Sequence, residues 1–384
     1  MTQAATARPG RTFDTIPRPV RVMIVDDSRV IRELLTRIIA KDSRLEVVAA
    51  VESGEAALDA LLCAAPDVIS MDIRLPGIDG FETTRRIMIE RPTPIVVVAG
   101  DVGQKDLMIS MNALRAGALS VLEKPNDTDQ GDFIAFADLL CTQLAIMSQV
   151  KVIRHRRALR TAPARADRLD PSAHAPSRAG RSLSPPRPLI ATREFELLGV
   201  VASTGGPNAL VEVLNGLPSG FPIPILVVQH MTSSFSRAFV EWLDDVCMAR
   251  VLAARDRMPV EAGTIYVAPA DVHLTIDGRR LRLDDSPPVC MQRPSGTALF
   301  RSMARAAGPA AIGVLLTGMG EDGAEGLREI RARGGYTIAE DESTAVVYGM
   351  PGAAVALGAV CESIPLPRIA PRLRGLIRPE IRET

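Results

Sequence analysis

One stretch, residues 198–210, constrains the fold more than any other part of the chain. An apolar, β-branched run ends at Ser203 and Thr204, two glycines follow, and Pro207 then stands in the predicted first turn of a helix. Proline suits that position because its missing N–H would have no helical partner there. The stretch therefore predicts a strand, a tight turn and a helix. Such a corner lifts the Ser203 side chain off the end of a sheet and leaves helix N-terminal amides beside it.

Length and composition limit the class of protein. A chain of 384 residues predicts two or three domains, and 47% hydrophobic but only 3% aromatic residues favour aliphatic α/β cores. The 45 basic and 45 acidic residues cancel, so no overall field favours nucleic acid or an anionic membrane. No apolar run is long enough for membrane insertion, and residues 1–20 lack the apolar core of a signal peptide. Five scattered cysteines without a C-x-x-C pair are typical of a reduced, cytoplasmic protein without a zinc site.

Strands and helices alternate regularly between residues 19 and 150, which predicts a doubly wound, flavodoxin-like (βα)5 domain. Asp26 and Asp27 close its first strand, Asp72 closes the third, and Lys124 follows the fifth. Three carboxylates at one sheet edge repel each other unless a cation joins them, and oxygen ligands suit Mg²⁺. A carboxylate organised by Mg²⁺ beside a lysine is a good phosphoryl acceptor. The alternative is that these residues are only solvated strand ends.

These segments resemble the receiver domain of bacterial response regulators: Val-Asp26-Asp27-Ser, Met-Asp72-Ile-Arg-Leu-Pro-Gly-Ile-Asp-Gly and Glu-Lys124-Pro. The resemblance covers about residues 20–130. It implies Asp72 as the phosphorylation site, Asp26, Asp27 and Asp72 as Mg²⁺ ligands, and Lys124 as the phosphate contact.

Two positions depart from the receiver pattern. Ala99 stands where the family usually has Ser or Thr, and Val121 stands where it usually has Phe or Tyr. In that family the hydroxyl and the ring sense phosphorylation and move. Phosphate binding is therefore expected in this chain, but not the usual switching.

Composition changes between residues 151 and 190, where Arg, Ala, Pro and Ser dominate and no core can form. We expect a flexible linker there, a disordered tail at residues 1–18 and a C-terminal tail at residues 371–384. The linker's arginine cluster leaves nucleic acid or anionic lipid as an alternative partner. It lacks the interleaved aromatic residues and the amphipathic pattern that would support that alternative.

Residues 191–370 predict a second doubly wound, largely parallel α/β domain, with an antiparallel hairpin at about 273–283. Three of its predicted strands end in Ser203, His230 and Asp322, the side chains required for nucleophilic acyl transfer. Serine is a weak nucleophile that needs a base, histidine has a suitable pKa for that role, and a carboxylate fixes the histidine tautomer.

Other interpretations of these residues stay open individually. The Ser203 turn resembles a phosphate- or nucleotide-binding corner, although it lacks the lysine of a P-loop. His230 alone would more often be structural, and Asp322 alone would be a helix N-cap. His273 falls within the hairpin alternation and is interpreted as structural.

Two groups are candidates for completing the acyl-transfer site. Thr204 and the glycine-rich turn at 318–320 are predicted to supply N–H donors to an oxyanion. Met319, inside that turn, is expected on the rim of the site.

The C-terminal half resembles the catalytic domain of the chemotaxis receptor methylesterases over about residues 195–365. The matching segments are Ala-Ser203-Thr-Gly-Gly, Gln-His230-Met, Tyr266-Val-Ala-Pro, Arg293-Pro-Ser, Leu-Thr-Gly-Met-Gly-Glu-Asp322-Gly and Tyr-Gly-Met350-Pro. A receiver, a linker and this domain in that order are also the family's architecture.

The resemblance implies Ser203 as nucleophile, His230 as base and Asp322 as its orienting partner. It implies hydrolysis of glutamate γ-methyl esters on the cytoplasmic helices of chemoreceptors, release of methanol, frequent deamidation of glutamines, and no cofactor for the esterase chemistry. In that family the unphosphorylated receiver covers the active site, and phosphorylation by the chemotaxis histidine kinase relieves the block. Two other hypotheses for the function are a non-catalytic signalling adaptor, and a hydrolase that is constitutive or regulated without phosphate.

Overall fold

Two parallel sheets organise the computed structural model, which describes residues 18–100, 112–114, 116–124, 130–150 and 194–377. The predicted linker at 151–190 lies outside the described residues, as do residues 1–17 and 378–384 of the predicted tails. Within the described part of the chain, no helix combines the length and the apolar character needed to cross a bilayer.

The N-terminal sheet has five strands in the order β2-β1-β3-β4-β5, all paired in parallel. Helices cover both of its faces, which is why most of these strands are nearly continuous apolar runs. This confirms the doubly wound α/β domain predicted for residues 19–150. The elements are β1 (Val20–Val25), α1 (Arg29–Ile39), β2 (Leu45–Val51), α2 (Gly54–Ala64), β3 (Val68–Met71), α3 (Gly80–Glu90), β4 (Ile95–Ala99), β5 (Ser120–Glu123) and α4 (Gln130–Met147).

The C-terminal sheet has seven parallel strands in the order β14-β13-β12-β6-β7-β9-β8. A separate antiparallel hairpin, β10–β11, confirms the predicted hairpin. The strands are β6 (Leu197–Ala202), β7 (Ile225–Gln229), β8 (Arg250–Ala253), β9 (Thr264–Val267), β10 (His273–Asp277), β11 (Arg280–Asp284), β12 (Ala311–Leu315), β13 (Tyr336–Glu340) and β14 (Glu362–Ile364). The helices are α5 (Gly206–Asn215), α6 (Ser233–Val246), α7 (Gly296–Ala306), α8 (Ala324–Ala332), α9 (Met350–Ala356) and α10 (Leu366–Ile377).

The position of β6 determines where a site can form. It is the first strand of its sheet in the chain and lies in the middle, between β12 and β7. The strand order therefore changes direction at β6, and crevices at the carboxyl ends of parallel strands open at such points. The loops that follow β6, β7 and β12 meet at this edge.

The final helix, α10, shows that the predicted domain boundary at residue 370 is wrong. The helix continues to Ile377, and the Leu373 side chain is fully buried. Residues 371–377 are therefore part of the domain core, because an apolar stripe of α10 packs beside α5.

Two glycines in register let helices approach the centre of the C-terminal sheet. Gly199 on β6 pairs with Gly313 on β12. A Cβ at Gly199 would lie 2.5 Å from Met303 Sδ on α7, and a Cβ at Gly313 would lie 2.5 Å from Leu327 Cδ1 on α8. Because neither glycine has a side chain, both helices can pack closely against the sheet at this point.

We expect Gly313→Ala to lower the free energy of unfolding by about 1–3 kcal/mol, because the added methyl group overpacks the layer between β12 and α8. Urea unfolding followed by the fluorescence of Trp242, the chain's single and buried tryptophan, measures this. Gly220→Ala is the control, since a Cβ there meets no atom of the described residues within 4 Å. Equal effects of the two substitutions would contradict the packing argument.

Candidate active site

Ser203 and His230 leave neighbouring strands at the same level of the sheet. Ala202 pairs with Gln229, and the His230 N–H donates to the Ala202 carbonyl at 3.0 Å. The Gln229 amide donates to the carbonyl oxygens of both Ser203 and His230 at 2.9 Å. On the other side, the Ser203 N–H donates to the Thr317 carbonyl at 3.0 Å. The three strand ends are thereby joined around Ser203.

The corner after β6 depends on glycine at two positions. Gly205, the N-cap of α5, has φ +77°, a left-handed conformation that favours glycine. A Cβ at Gly318 would overlap Met350 Sδ and lie 2.7 Å from Ser203 Cβ. Only a residue without a side chain therefore lets the turn after β12 come this close to Ser203.

His230 and Asp322 form a direct hydrogen bond of 2.9 Å between Nε2 and Oδ2. Asp322 is not the N-cap of its own helix α8, where Gly323 has that position. Its carboxylate instead binds the N-terminus of α7, accepting from Ser295 Oγ at 2.6 Å, Gly296 N at 2.6 Å and Thr297 N at 3.0 Å. The helix dipole favours a negative charge at that position.

The surroundings of Asp322 decide the tautomer of His230. Burial disfavours the charged carboxyl, but hydrogen bonds from His230, Ser295 and Thr297 outweigh it and hold the pKa of Asp322 below its ordinary value. An ionised carboxylate only accepts hydrogen bonds, so His230 Nε2 carries a proton and Nδ1 of the neutral ring has a free lone pair. Nδ1 is buried and has no hydrogen-bond partner within the described residues.

The turn after β12 offers fewer donors than the sequence suggested. The Gly318 N–H donates to the Val347 carbonyl at 3.0 Å, so it is not available to an oxyanion. Of the N–H donors predicted in the turn at 318–320, those of Met319 and Gly320 remain. The Met319 side chain is 36% exposed, as expected for a residue on a rim.

Thr317 and Glu340 support the corner and were not predicted as part of the site. The Thr317 hydroxyl donates to the Thr204 carbonyl at 2.9 Å, and its N–H donates to Glu340 Oε2 at 2.8 Å. Glu340 is the last residue of β13, so it belongs to the same sheet edge as Ser203. A charged residue at the end of an otherwise apolar strand was the sequence signal that could have identified Glu340.

Burial is the main cause that raises the pKa of Glu340 to about 7. The carboxylates of Glu212 and Asp341 act in the same direction, and hydrogen bonds from Thr317 and Thr344 oppose them. One of its oxygens, Oε1, is buried without a hydrogen-bond partner in the described part of the chain. The ionised form of Glu340 is therefore poorly stabilised in the folded state.

The predicted phosphorylation and metal residues of the N-terminal domain lie close together in the structure. Lys124 Nζ lies 2.7 Å from Asp26 Oδ2 and 3.0 Å from Asp72 Oδ2. Asp26, Asp27 and Asp72 each offer an oxygen within 4.8 Å of the others. Burial raises the pKa of Asp72, with a further increase from Asp26, and Lys124 opposes both. The group has the oxygen donors that a small divalent cation requires.

Three side-chain contacts join the N-terminal domain to the loops of the Ser203 site. Gln143 on α4 donates to the Thr204 hydroxyl at 3.2 Å. Asn208 on α5 donates to the Ala118 carbonyl at 3.3 Å, and Ser234 on α6 donates to the Glu123 carboxylate. The partners in the C-terminal domain lie within five residues of Ser203 or His230 along the chain. The N-terminal domain therefore contacts the mouth of the site.

Comparison with known proteins finds a matching family for each of the two domains. Residues 198–373 match the CheB methylesterase family, and residues 22–132 match the response regulator receiver domain. The protein-glutamate methylesterase/protein-glutamine glutaminase 2 of Paramagnetospirillum magneticum is 51% identical over 94% of this chain and 98% of its own length. A protein of the same name, numbered 4, from Myxococcus xanthus is 42% identical over the same shares. The crystal structure of the Thermotoga maritima CheB methylesterase catalytic domain covers 48% of this chain and 100% of its own, at 34% identity and a TM-score of 0.46.

We expect Glu340→Gln to remove a pH-dependent loss of stability. A carboxyl group whose pKa rises from 4.5 to about 7 on folding costs nothing below pH 4.5, and its cost grows between pH 4.5 and 7. At pH 8 the cost is about 3 kcal/mol, which glutamine avoids while still accepting from Thr317. Urea unfolding of both proteins at pH 5 and pH 8 measures it. A wild-type-minus-variant difference that does not change between these pH values would contradict the assignment.

Proposed function

Since the chain belongs to the CheB methylesterase family, we propose that Ser203, His230 and Asp322 hydrolyse γ-methyl esters of glutamate on the cytoplasmic helices of chemoreceptors. One observation carries this proposal. The His230 ring is hydrogen-bonded to Asp322 through Nε2, while Nδ1 is buried, unpartnered among the described residues and on the strand end next to Ser203. A histidine held in this way is ready to accept a proton from serine.

Acylation follows from these positions. Ser203 Oγ attacks the γ-carbonyl carbon as its proton passes to His230 Nδ1, and the carbonyl electron pair moves onto oxygen. Backbone N–H groups of Thr204 and the turn at Met319 stabilise that oxyanion. The C–O bond to the methoxy group then breaks, methanol leaves with the proton from Nδ1, and an acyl-enzyme remains.

Deacylation uses the same groups. His230 takes a proton from water, the resulting hydroxide adds to the acyl carbon, and Ser203 Oγ leaves with the proton from Nδ1. The product is the glutamate side-chain carboxylic acid, which releases its proton to solvent and leaves as the carboxylate. A glutamine side chain passes through the same kind of intermediate with ammonia as the leaving group, so the site is also suited to deamidation. Neither reaction needs a cofactor.

The receiver domain supplies regulation. Asp72 is the phosphate acceptor, a chemotaxis histidine kinase is the phosphodonor, and Lys124 contacts the phosphoryl group. Asp26, Asp27 and Asp72 fit Mg²⁺ because their oxygens lie within 4.8 Å of one another. Bound Mg²⁺ would neutralise charge on the transferring phosphoryl group.

Contacts of the receiver with the Ser203 site explain how an unphosphorylated receiver restrains the enzyme. Gln143 holds Thr204, next to the nucleophile, and Glu123 holds the first turn of the helix that follows His230. Glu123 and Lys124 are adjacent on one strand end, so a phosphoryl group that draws Lys124 also displaces Glu123. This connection does not need the hydroxyl and the ring that Ala99 and Val121 lack.

Ser203→Ala should reduce methanol release from methylated receptors by about 10⁴-fold or more, because it removes the hydroxyl that forms the acyl-enzyme. The assay uses the full chain and receptor carrying labelled methyl esters. Thr36→Ala is the control and should leave the rate unchanged, because the Thr36 hydroxyl donates to the Arg32 carbonyl within the receiver helix α1. An unchanged rate in Ser203→Ala would remove the proposed nucleophile.

Gln143→Ala should raise the methanol-release rate of the unphosphorylated full chain about two- to tenfold, since one part-buried hydrogen bond between the receiver and the Thr204 hydroxyl is lost. Ser148→Ala is the matched control, because it removes a hydrogen bond within the receiver, to the Ala145 carbonyl. Beryllofluoride bound at Asp72 should activate the wild type more than Gln143→Ala. If beryllofluoride binds and leaves both rates unchanged, regulation through Asp72 is wrong.

A further inference from the structure

Ser295 is a fully buried serine that contacts the Asp322 carboxylate from the N-cap position of α7. Its hydroxyl lies 2.6 Å from Asp322 Oδ1 and 3.3 Å from the Ala298 N–H. We propose that Ser295 is a positioning residue of the esterase, which fixes the Asp322 carboxylate and thereby the orientation of the His230 ring. The inference rests on the proposed function and extends it by one residue beyond the set of three.

The hydrogen-bond directions at Ser295 allow one arrangement. A carboxylate only accepts and a backbone N–H only donates. The Ser295 hydroxyl therefore donates to Asp322 and accepts from Ala298, and both of these roles are filled. An ordinary N-cap serine has a free hydroxyl proton, but here that proton is committed to a group of the active site.

His273 fixes the backbone of Ser295 in turn. The Ser295 N–H donates to His273 Nδ1 at 3.1 Å, and His273 Nε2 lies 3.2 Å from the Pro287 carbonyl. Nδ1 is therefore the acceptor and Nε2 the donor, which is the neutral ring. His273, interpreted as structural from the sequence, thus fixes the position of Ser295, which in turn holds Asp322.

Two donors on each oxygen prevent rotation of the Asp322 carboxylate. Oδ1 accepts from Ser295 and Thr297, and Oδ2 accepts from Gly296 and His230. Removing the Ser295 hydroxyl leaves Oδ1 with a single donor, so the carboxylate gains freedom to turn and Oδ2 loses its fixed position opposite the imidazole. The loss affects the proton transfers and not the binding of the receptor segment.

We expect Ser295→Ala to lower kcat for methanol release roughly tenfold with little change in KM, because a hydrogen bond to a charged group is lost from a step after binding. Ser53→Ala is the matched control. Ser53 is the N-cap of α2, accepts from the Ala56 N–H at 3.2 Å and lies in the receiver. That substitution should leave both constants unchanged. Thermal unfolding of each variant verifies that it is folded, and Ser295→Cys, which keeps the shape with a weaker donor, replaces the alanine variant if that protein does not fold.

A double-mutant cycle with Asp322→Asn separates positioning from simple stabilisation. If Ser295 acts through Asp322, its substitution changes kcat much less in the Asp322→Asn background than in the wild type. Equal fold-changes in the two backgrounds, or a kcat in Ser295→Ala that matches Ser53→Ala, overturn the proposal. In either case loss of activity in Ser203→Ala still supports the esterase, whereas full activity in Ser203→Ala would remove the proposed function itself.

Discussion

A buried carboxylate with four hydrogen-bond donors is the interaction on which the catalytic domain depends. Asp322 is 2% exposed, and a charge at that depth is costly unless its oxygens are satisfied. The N-terminus of α7 supplies three of the donors, and His230 supplies the fourth. Meeting this requirement places α7 beside β6 and β12. The same contacts select the tautomer of His230 whose Nδ1 has a free lone pair, which the proposed reaction requires. One set of hydrogen bonds thus serves both stability and the proposed chemistry.

Much of the fold and the set of three catalytic candidates could be predicted because the signals are local. Apolar runs buried on both faces, such as β6, alternate with amphipathic helices. Ser203 and His230 each follow a strand directly, and Asp322 lies in the loop after β12. Parallel strands then bring these ends to one edge without further information.

Other features depend on packing between distant segments and have no local signature. A serine before a helix is typical of an N-cap whether or not its proton reaches a carboxylate, so the role of Ser295 required the position of Asp322. The continuation of α10 past residue 370 depends on the burial of Leu373, which requires α5 as a partner. The edge strands β8 and β14, of four and three residues, are too short to give a periodic pattern.

The central position of β6 has a consequence for how the enzyme is made. Ser203 and His230 belong to the first two strands of their sheet to be synthesised, but Asp322 follows His230 by 92 residues, after the strand that must insert beside β6. A nascent chain can expose the serine and the histidine long before it holds the carboxylate that orients them. For the proposed mechanism, catalytic competence therefore requires that translation has passed residue 322 and that the middle of the sheet has closed.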